Sequence, residues 1–248
     1  MVFEVIQLVL TLELFAALGI GFAGGLMHGF TGWGGAMVMM PLMCLIYSPI
    51  HSLGIVLIGS MLVSAQLFPW AIKRMDWLEI KPILAAIVIT IPAGTYLLFH
   101  LEPVLVIRII GAIIILSALL QLSGWRYRGP RGTFPATCTG VACGFINGFS
   151  GLGGAPLVLY ILSNPVHAER QRANLIIVVT VISVWVFVSV VAGGGMDSQS
   201  IARGMIIAPM QFVGAWIGAR LFQHFSGEVF RKFSLIMLII IGISVTIF

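Results

Sequence analysis

Gly29-Phe30-Thr31-Gly32-Trp33-Gly34-Gly35-Ala36 returns 119 residues later as Gly148-Phe149-Ser150-Gly151-Leu152-Gly153-Gly154-Ala155. Six of the eight positions are identical, and Thr31 against Ser150 keeps the hydroxyl. The match extends outward on both sides. Gly21, Gly25 and Gly29 recur as Gly140, Gly144 and Gly148, and Ser48-Pro49-Ile50-His51 resembles Asn164-Pro165-Val166-His167. Arg108 and Arg231 each precede a last apolar run. An offset near half of a 248-residue chain marks an internal duplication.

The duplicated unit belongs in lipid. Hydrophobic residues make up 60% of the chain and charged residues 8%, against about 25% charged in a water-soluble domain. A globule of this composition would leave large apolar patches in water. Apolar runs fall near 5–30, 34–47, 52–72, 78–99, 104–122, 133–149, 152–163, 171–192, 200–222 and 230–248. The runs at 34–47 and 152–163 are too short to cross about 30 Å of hydrocarbon, so they predict half-helices or re-entrant arms. The fold expected is an all-α integral membrane protein with two inverted-topology repeats of five membrane segments each. The first repeat spans 1–122 and the second 133–248, joined by a polar connector at 123–132.

An odd number of segments per repeat makes the second half enter from the opposite face. The charges agree. With the connector inside, the inner face carries Lys73, Arg74, Lys81, Arg126, Arg128, Arg131, Arg170, Arg172, Arg220, Arg231 and Lys232. The outer face carries only Arg108 and Arg203, a strong positive-inside bias. It places the connector in the cytoplasm, both termini outside, and the protein in the cell (inner) membrane as a multi-pass species. Residues 1–20 contain no Lys or Arg, so no cleavable signal peptide is expected. The net charge of +5 does not point to nucleic acid, because the basic residues form no stripe. Cys44, Cys138 and Cys143 lie in or beside apolar segments without metal-ligand spacing and read as packing residues.

A run such as Gly32-Trp33-Gly34-Gly35 resists staying helical, since each glycine costs about 1 kcal/mol relative to alanine. Unwound backbone at membrane depth survives only where protein or water satisfies it. The two runs therefore predict two broken hairpins meeting near the midplane. Each break leaves a helix N-terminus with unpaired N–H groups and about half a positive charge, which glycines let an anion approach. Gly32, Gly34 and Gly35, with Gly151, Gly153 and Gly154, are the candidate backbone site, and Thr31 and Ser150 add hydroxyls. Gly21, Gly25 and Gly29 with Gly140, Gly144 and Gly148 have the spacing that lets helices touch. Packing is the favoured reading for those six, with a second role at the site open for Gly29 and Gly148.

The doubled pattern G-x-x-x-G-F-[ST]-G-x-G-G-A resembles the sulfite exporter TauE/SafE family, also called the TSUP permeases, over essentially the whole chain. The resemblance implies a permease for a sulfur-containing anion such as sulfite, a sulfonate or a related organosulfur compound. Two departures stand out. Ala36 and Ala155 occupy a position where the family often has a third glycine. Pro41 fits a family proline in the first half, whereas Tyr160 stands there in the second, with Pro156 displaced. The two motif copies are thus expected to differ.

Other polar residues within the spans complete the candidate site. His28 and Asn147 occupy equivalent places before the two motifs, where intramembrane polar groups are functional candidates. His28 also offers a proton acceptor, which leaves proton coupling open. Gln66 and Gln211 sit inside apolar runs as potential donors to an oxyanion, with interhelical hydrogen bonding as the plainer role. Thr180 and Ser183 are expected mainly to bond their own helix backbone. Trp33, Trp70, Trp77 and Trp125 read as interfacial belt or packing residues, with Trp33 also a candidate cap over the site. Met37, Met39, Met40 and Met43 read as core filling. Glu13 is expected at the interface, and His51, His100, His167 and His224 at loop edges.

No nucleophile elbow, H-E-x-x-H or phosphate loop occurs, so neither an enzyme nor an ATP-driven pump is expected, and no cofactor is implied. The preferred function is a secondary transporter of a small sulfur-containing anion by alternating access. The alternative is a channel-like protein or permease for a cation or neutral solute, since carbonyls at a helix break also hold cations. A membrane enzyme or scaffold is the remaining class. The partners expected are the anion and the bilayer, with oligomerisation open.

Overall fold

The computed structural model describes residues 12–31, 33–123 and 127–221. Among them all regular structure is helical: α1 (Leu12–Thr31), α2 (Gly35–Cys44), α3 (Pro49–Ala71), α4 (Trp77–His100), α5 (Pro103–Leu122), α6 (Thr133–Ser150), α7 (Gly154–Ile161), α8 (Ala168–Ala192) and α9 (Ser198–Leu221). Segments expected between 34 and 222 each correspond to one helix, with ends displaced by no more than three residues. The start of the first segment, the tenth segment with Arg231, and Arg126 in the connector lie outside the described residues.

Helices α1, α3, α4, α8 and α9 are long and apolar enough to cross a membrane. α3 has 23 residues, about 35 Å at 1.5 Å per residue. The short helices α2, with 10 residues, and α7, with 8, reach only about 12–15 Å, near half of the hydrocarbon thickness. The outer surface suits that setting. Leu78, Phe134 and Ile89 expose 86%, 80% and 75% of their area, which water opposes and lipid accepts.

Glycine stripes set the tightest packing. A Cβ on Gly25 or Gly29 would overlap the carbonyl oxygen of Gln211 or Ala215, and one on Gly21 would lie 2.6 Å from Ile207 Cγ2. Three glycines four residues apart on α1 thus lie against three α9 residues four apart, in ascending order on both, so the helices run parallel. The second half repeats the arrangement with exchanged partners. Gly140, Gly144 and Gly148 on α6 lie against Ile83, Ile87 and Ile91 on α4. In return Gly218 lies against Leu26, and Gly94 against Phe145. The first helix of each half is therefore packed on the fourth helix of the other. The small-residue spacing does what it was expected to do, which is to let backbones touch.

The loops gather at the two ends of α3. At its C-terminal end, the α3–α4 loop, the connector and the α7–α8 loop are tied by charge. Arg131 Nη1 donates to Glu79 Oε1 at 2.7 Å, and Arg131 Nη2 donates to Tyr160 O at 2.7 Å and Ser163 Oγ at 2.6 Å. Glu79 also accepts from Asn164 Nδ2 and Asn174 Nδ2, both at 2.9 Å. Asp76 caps α4 by accepting from Leu78 N and Glu79 N, and pairs with Arg170 at 3.6 Å. Arg74 reaches Glu169 at 3.7 Å. These loops are the ones whose basic residues were assigned to a common face. At the other end of α3, the α2–α3 and α8–α9 loops meet. Arg203 lies over the Tyr47 ring at 4.7 Å, and Gly195 packs on Ile50 and Phe99.

Candidate functional site

Between the two ends lies a cavity of about 60 Å³. It forms where both glycine motifs interrupt their helices. α1 ends at Thr31 and α2 begins at Gly35, while α6 ends at Ser150 and α7 begins at Gly154. Both edges of the break recur at the motif's own offset. The two hairpins meet here: a Cβ on Gly154 would sit 3.2 Å from Trp33 Cε3. Gly34 (φ 85°) and Gly151 (φ 71°) take left-handed backbone, a conformation that costs other residues about 1–2 kcal/mol. That requirement explains why glycine stands at both.

The cavity is lined by Gly34, Gly35, Gly151 and Gly154 from the breaks, and by four polar side chains, His28, Ser60, Asn147 and Ser183. His28 and Asn147, equivalent in sequence, thus face one space. The walls are otherwise apolar, from Trp33, Met37 and Met40 on one hairpin to Leu152 on the other, with Leu53, Val56 and Leu57 of α3 and Val179, Ile182 and Val186 of α8. Among the described residues no lining side chain bears a fixed charge. Partial positive charge comes from helix ends: the leading amides of α2 and α7 have no carbonyl a turn earlier within their own helix, while Met37 N already donates to Gly34 O at 3.0 Å. Two such N-termini together carry about one positive unit. In the second break, Gly151 N donates to Asn147 O at 2.8 Å and Leu152 N to Ser150 Oγ at 3.3 Å. The N–H group nearest a guest there is that of Gly154, the cavity-lining residue that opens α7.

The remaining expected residues take other places. Gly29 and Gly148 are spent on the α1–α9 and α6–α4 contacts and do not line the cavity. Gly153 does not line it either, because Cys143 O and Asn147 Nδ2 fill the space where its Cβ would stand. Ser150 is fully buried, and its hydroxyl donates to Ile146 O at 2.8 Å, so it serves the helix end and the turn after it. Gln66 is exposed on α3 and points away from the cavity. Gln211 is buried behind Ser60, donating to Ser60 Oγ at 3.4 Å. It is interhelical, the plainer of its two expected roles. The Thr31 side chain and Gly32 lie outside what the structure describes. Thr180 bonds its own backbone, donating to Ile176 O at 2.7 Å.

Ser60 and the apolar walls were not foreseen as site features, and Trp33, expected mainly as a belt or packing residue and also as a candidate cap, stands on the cavity wall. For Trp33 the signal was present: it fills the variable place inside the motif, and Leu152 fills the same place in the second copy. Asn147 is less available than its position implied, since its Nδ2 donates to Cys143 O at 2.9 Å and to Cys143 Sγ at 3.3 Å. Among the described residues no group of three or more His, Cys, Asp or Glu converges as a metal site would require.

Two helix breaks around a cavity without a fixed charge among its described lining residues, in a body with five membrane-length helices, fit a carrier. Residues 17–245 match the model of the sulfite exporter TauE/SafE family. The chain belongs to that family. It is therefore a membrane transporter, and the resemblance seen in the doubled motif holds over nearly its whole length. Neither a curated protein nor a solved structure matches the chain, so the site residues rest on this chain's own geometry.

Proposed function

We propose that this TauE/SafE protein is a secondary transporter that carries a small sulfur-containing anion across the cell membrane by alternating access. The observation that carries the proposal is the meeting of two glycine-broken hairpins, one from each half, at a single cavity without fixed charge. An anion stripped of water in an apolar body is costly unless donors replace the water. Two helix N-termini and the hydroxyls of Ser60 and Ser183 replace part of it. Among the described residues no lysine or arginine lines the cavity, and a full ion pair in this setting would hold the anion too tightly to release it.

The halves are read as inverted repeats, 1–122 and 133–248, with the connector 123–132 cytoplasmic and both termini outside. The exchanged packing supports this: α1 runs parallel to α9 and α6 parallel to α4, while α4 and α9 run in opposite senses between the two loop clusters. Rocking of one hairpin set against the other would open the cavity to each face in turn. His28, buried at the cavity wall, is the proposed carrier of any coupled proton.

The test is sulfite uptake by purified protein in liposomes. Gly34→Leu, which strains the left-handed position and fills the cavity, is expected to lower uptake about 100-fold while the protein remains monodisperse. Undiminished uptake by that variant would refute the assignment of the cavity as the transport site.

A further inference from the structure

The cavity proposed to bind the anion is small, and one residue pair of the motifs stands on its wall. At about 15 Å³ for each water-sized guest, its volume of about 60 Å³ admits only a few such positions. A sulfur atom with its three oxygens needs about that many positions, and each carbon of an attached chain adds to the demand. Trp33 and Leu152 occupy the same variable place between motif glycines, and both line the cavity. Leu152 is only 1% exposed. The Trp33 ring lies against the opposite hairpin at Gly154, where even a methyl group would come within 3.2 Å of Cε3 and 3.5 Å of Cζ3. The ring therefore spans from one hairpin to the other and closes one side of the cavity. No polar group from the motif itself stands at this variable place in either copy.

We propose that Trp33, with Leu152 opposite in the repeat, is the specificity-determining residue: it restricts the site to compact inorganic sulfur oxyanions and excludes sulfonates that carry an organic chain. The inference rests on the anion-transport reading. It differs from what the family description gives, because it assigns the size limit to a named side chain of this protein.

The experiment compares uptake of sulfite and of ethanesulfonate by proteoliposomes bearing wild type, Trp33→Ala, Trp33→Leu or Gly154→Ala protein. Wild type is expected to favour sulfite. Trp33→Ala is expected to raise the ethanesulfonate-to-sulfite ratio about tenfold or more, the scale at which apolar pockets discriminate single carbon groups. Trp33→Leu should raise it less, and it carries the same comparison should the alanine variant fail to fold. Gly154→Ala should depress sulfite uptake in the wild-type background and much less in the Trp33→Ala background, because the ring it presses on is gone. A ratio within about twofold of wild type in both Trp33 variants overturns the size limit, as does a wild type that takes both anions equally. A wild type that moves neither anion overturns the transport reading instead, and this inference with it.

Discussion

The two hairpins start from nearly the same eight residues and end as different structures. In the first, the left-handed glycine is Gly34, directly before a ten-residue α2 with Pro41 inside it. In the second it is Gly151, directly after α6, and α7 has only eight residues with Tyr160 where Pro41 would align. The loop ends differ more. At the end of α7 and in the loop after it, Tyr160 O and Ser163 are gripped by Arg131, and Asn164 by Glu79. Beyond α2, the comparable hold is Arg203 over the Tyr47 ring. Both ends have a cation–π contact, since Arg131 also lies over the Tyr160 ring at 4.9 Å, but among the described residues only the second hairpin adds charge-assisted hydrogen bonds to it. A duplicated motif therefore fixes where the chain breaks, while the residues outside it decide how firmly each break is held.

The comparison is sharpened first where the halves should agree. Gly29→Leu and Gly148→Leu each drive a side chain into a carbonyl oxygen of a partner helix, so each is expected to cost at least about 3 kcal/mol. A thermal melt in detergent that shows one variant near wild type would break the equivalence of the two stripes. Next comes the break itself. Gly151→Ala combines a left-handed position with a Cβ 2.8 Å from Leu53 Cδ1, and about 2 kcal/mol is expected. The loop ends should then differ. Arg131→Ala leaves the 10%-exposed Glu79 carboxylate with only its two asparagines, a loss of about 1–3 kcal/mol. Arg203→Ala should cost less than about 1 kcal/mol. Equal losses would mean that the two hairpins are held alike.

The smallest effect is at the start of α9. Asp197 accepts from Ser200 N at 2.8 Å, and hydrogen bonds from the Ser200 side chain and backbone hold its carboxyl below the usual carboxylate range. A depressed folded value means that this contribution is complete above the unfolded value and fades as pH falls through the folded one. Asp197→Ala should remove about 0.5–1 kcal/mol at neutral pH, and the difference from wild type should shrink under strongly acid conditions in the same melts.

The helices and the breaks were legible because each rests on a signal that sequence carries directly: apolar length and glycine density. His28 and Asn147 were found because the repeat placed them at equivalent positions beside the breaks. Gln66 and Gln211 stayed open between anion donor and interhelical bond for a common reason. A polar residue in an apolar run announces its depth, but at about 100° per residue its direction depends on neighbours the sequence does not show. Ser150 and Thr180 were satisfied by the carbonyl four residues earlier, a partner any helix supplies. The apolar walls were hidden because Met37, Met40 and Leu53 look the same whether they face a cavity or a core. Trp33 was drawn toward a belt role by its place near a segment end.

The exchanged partnership of α1 with α9 and of α6 with α4 has a consequence for how the molecule is made. When the ribosome has delivered only the first half, α1 presents its bare backbone groove to a helix that is still untranslated, and α4 waits for α6. Neither half owns a complete interior, so the newborn chain finishes an early helix with one made much later.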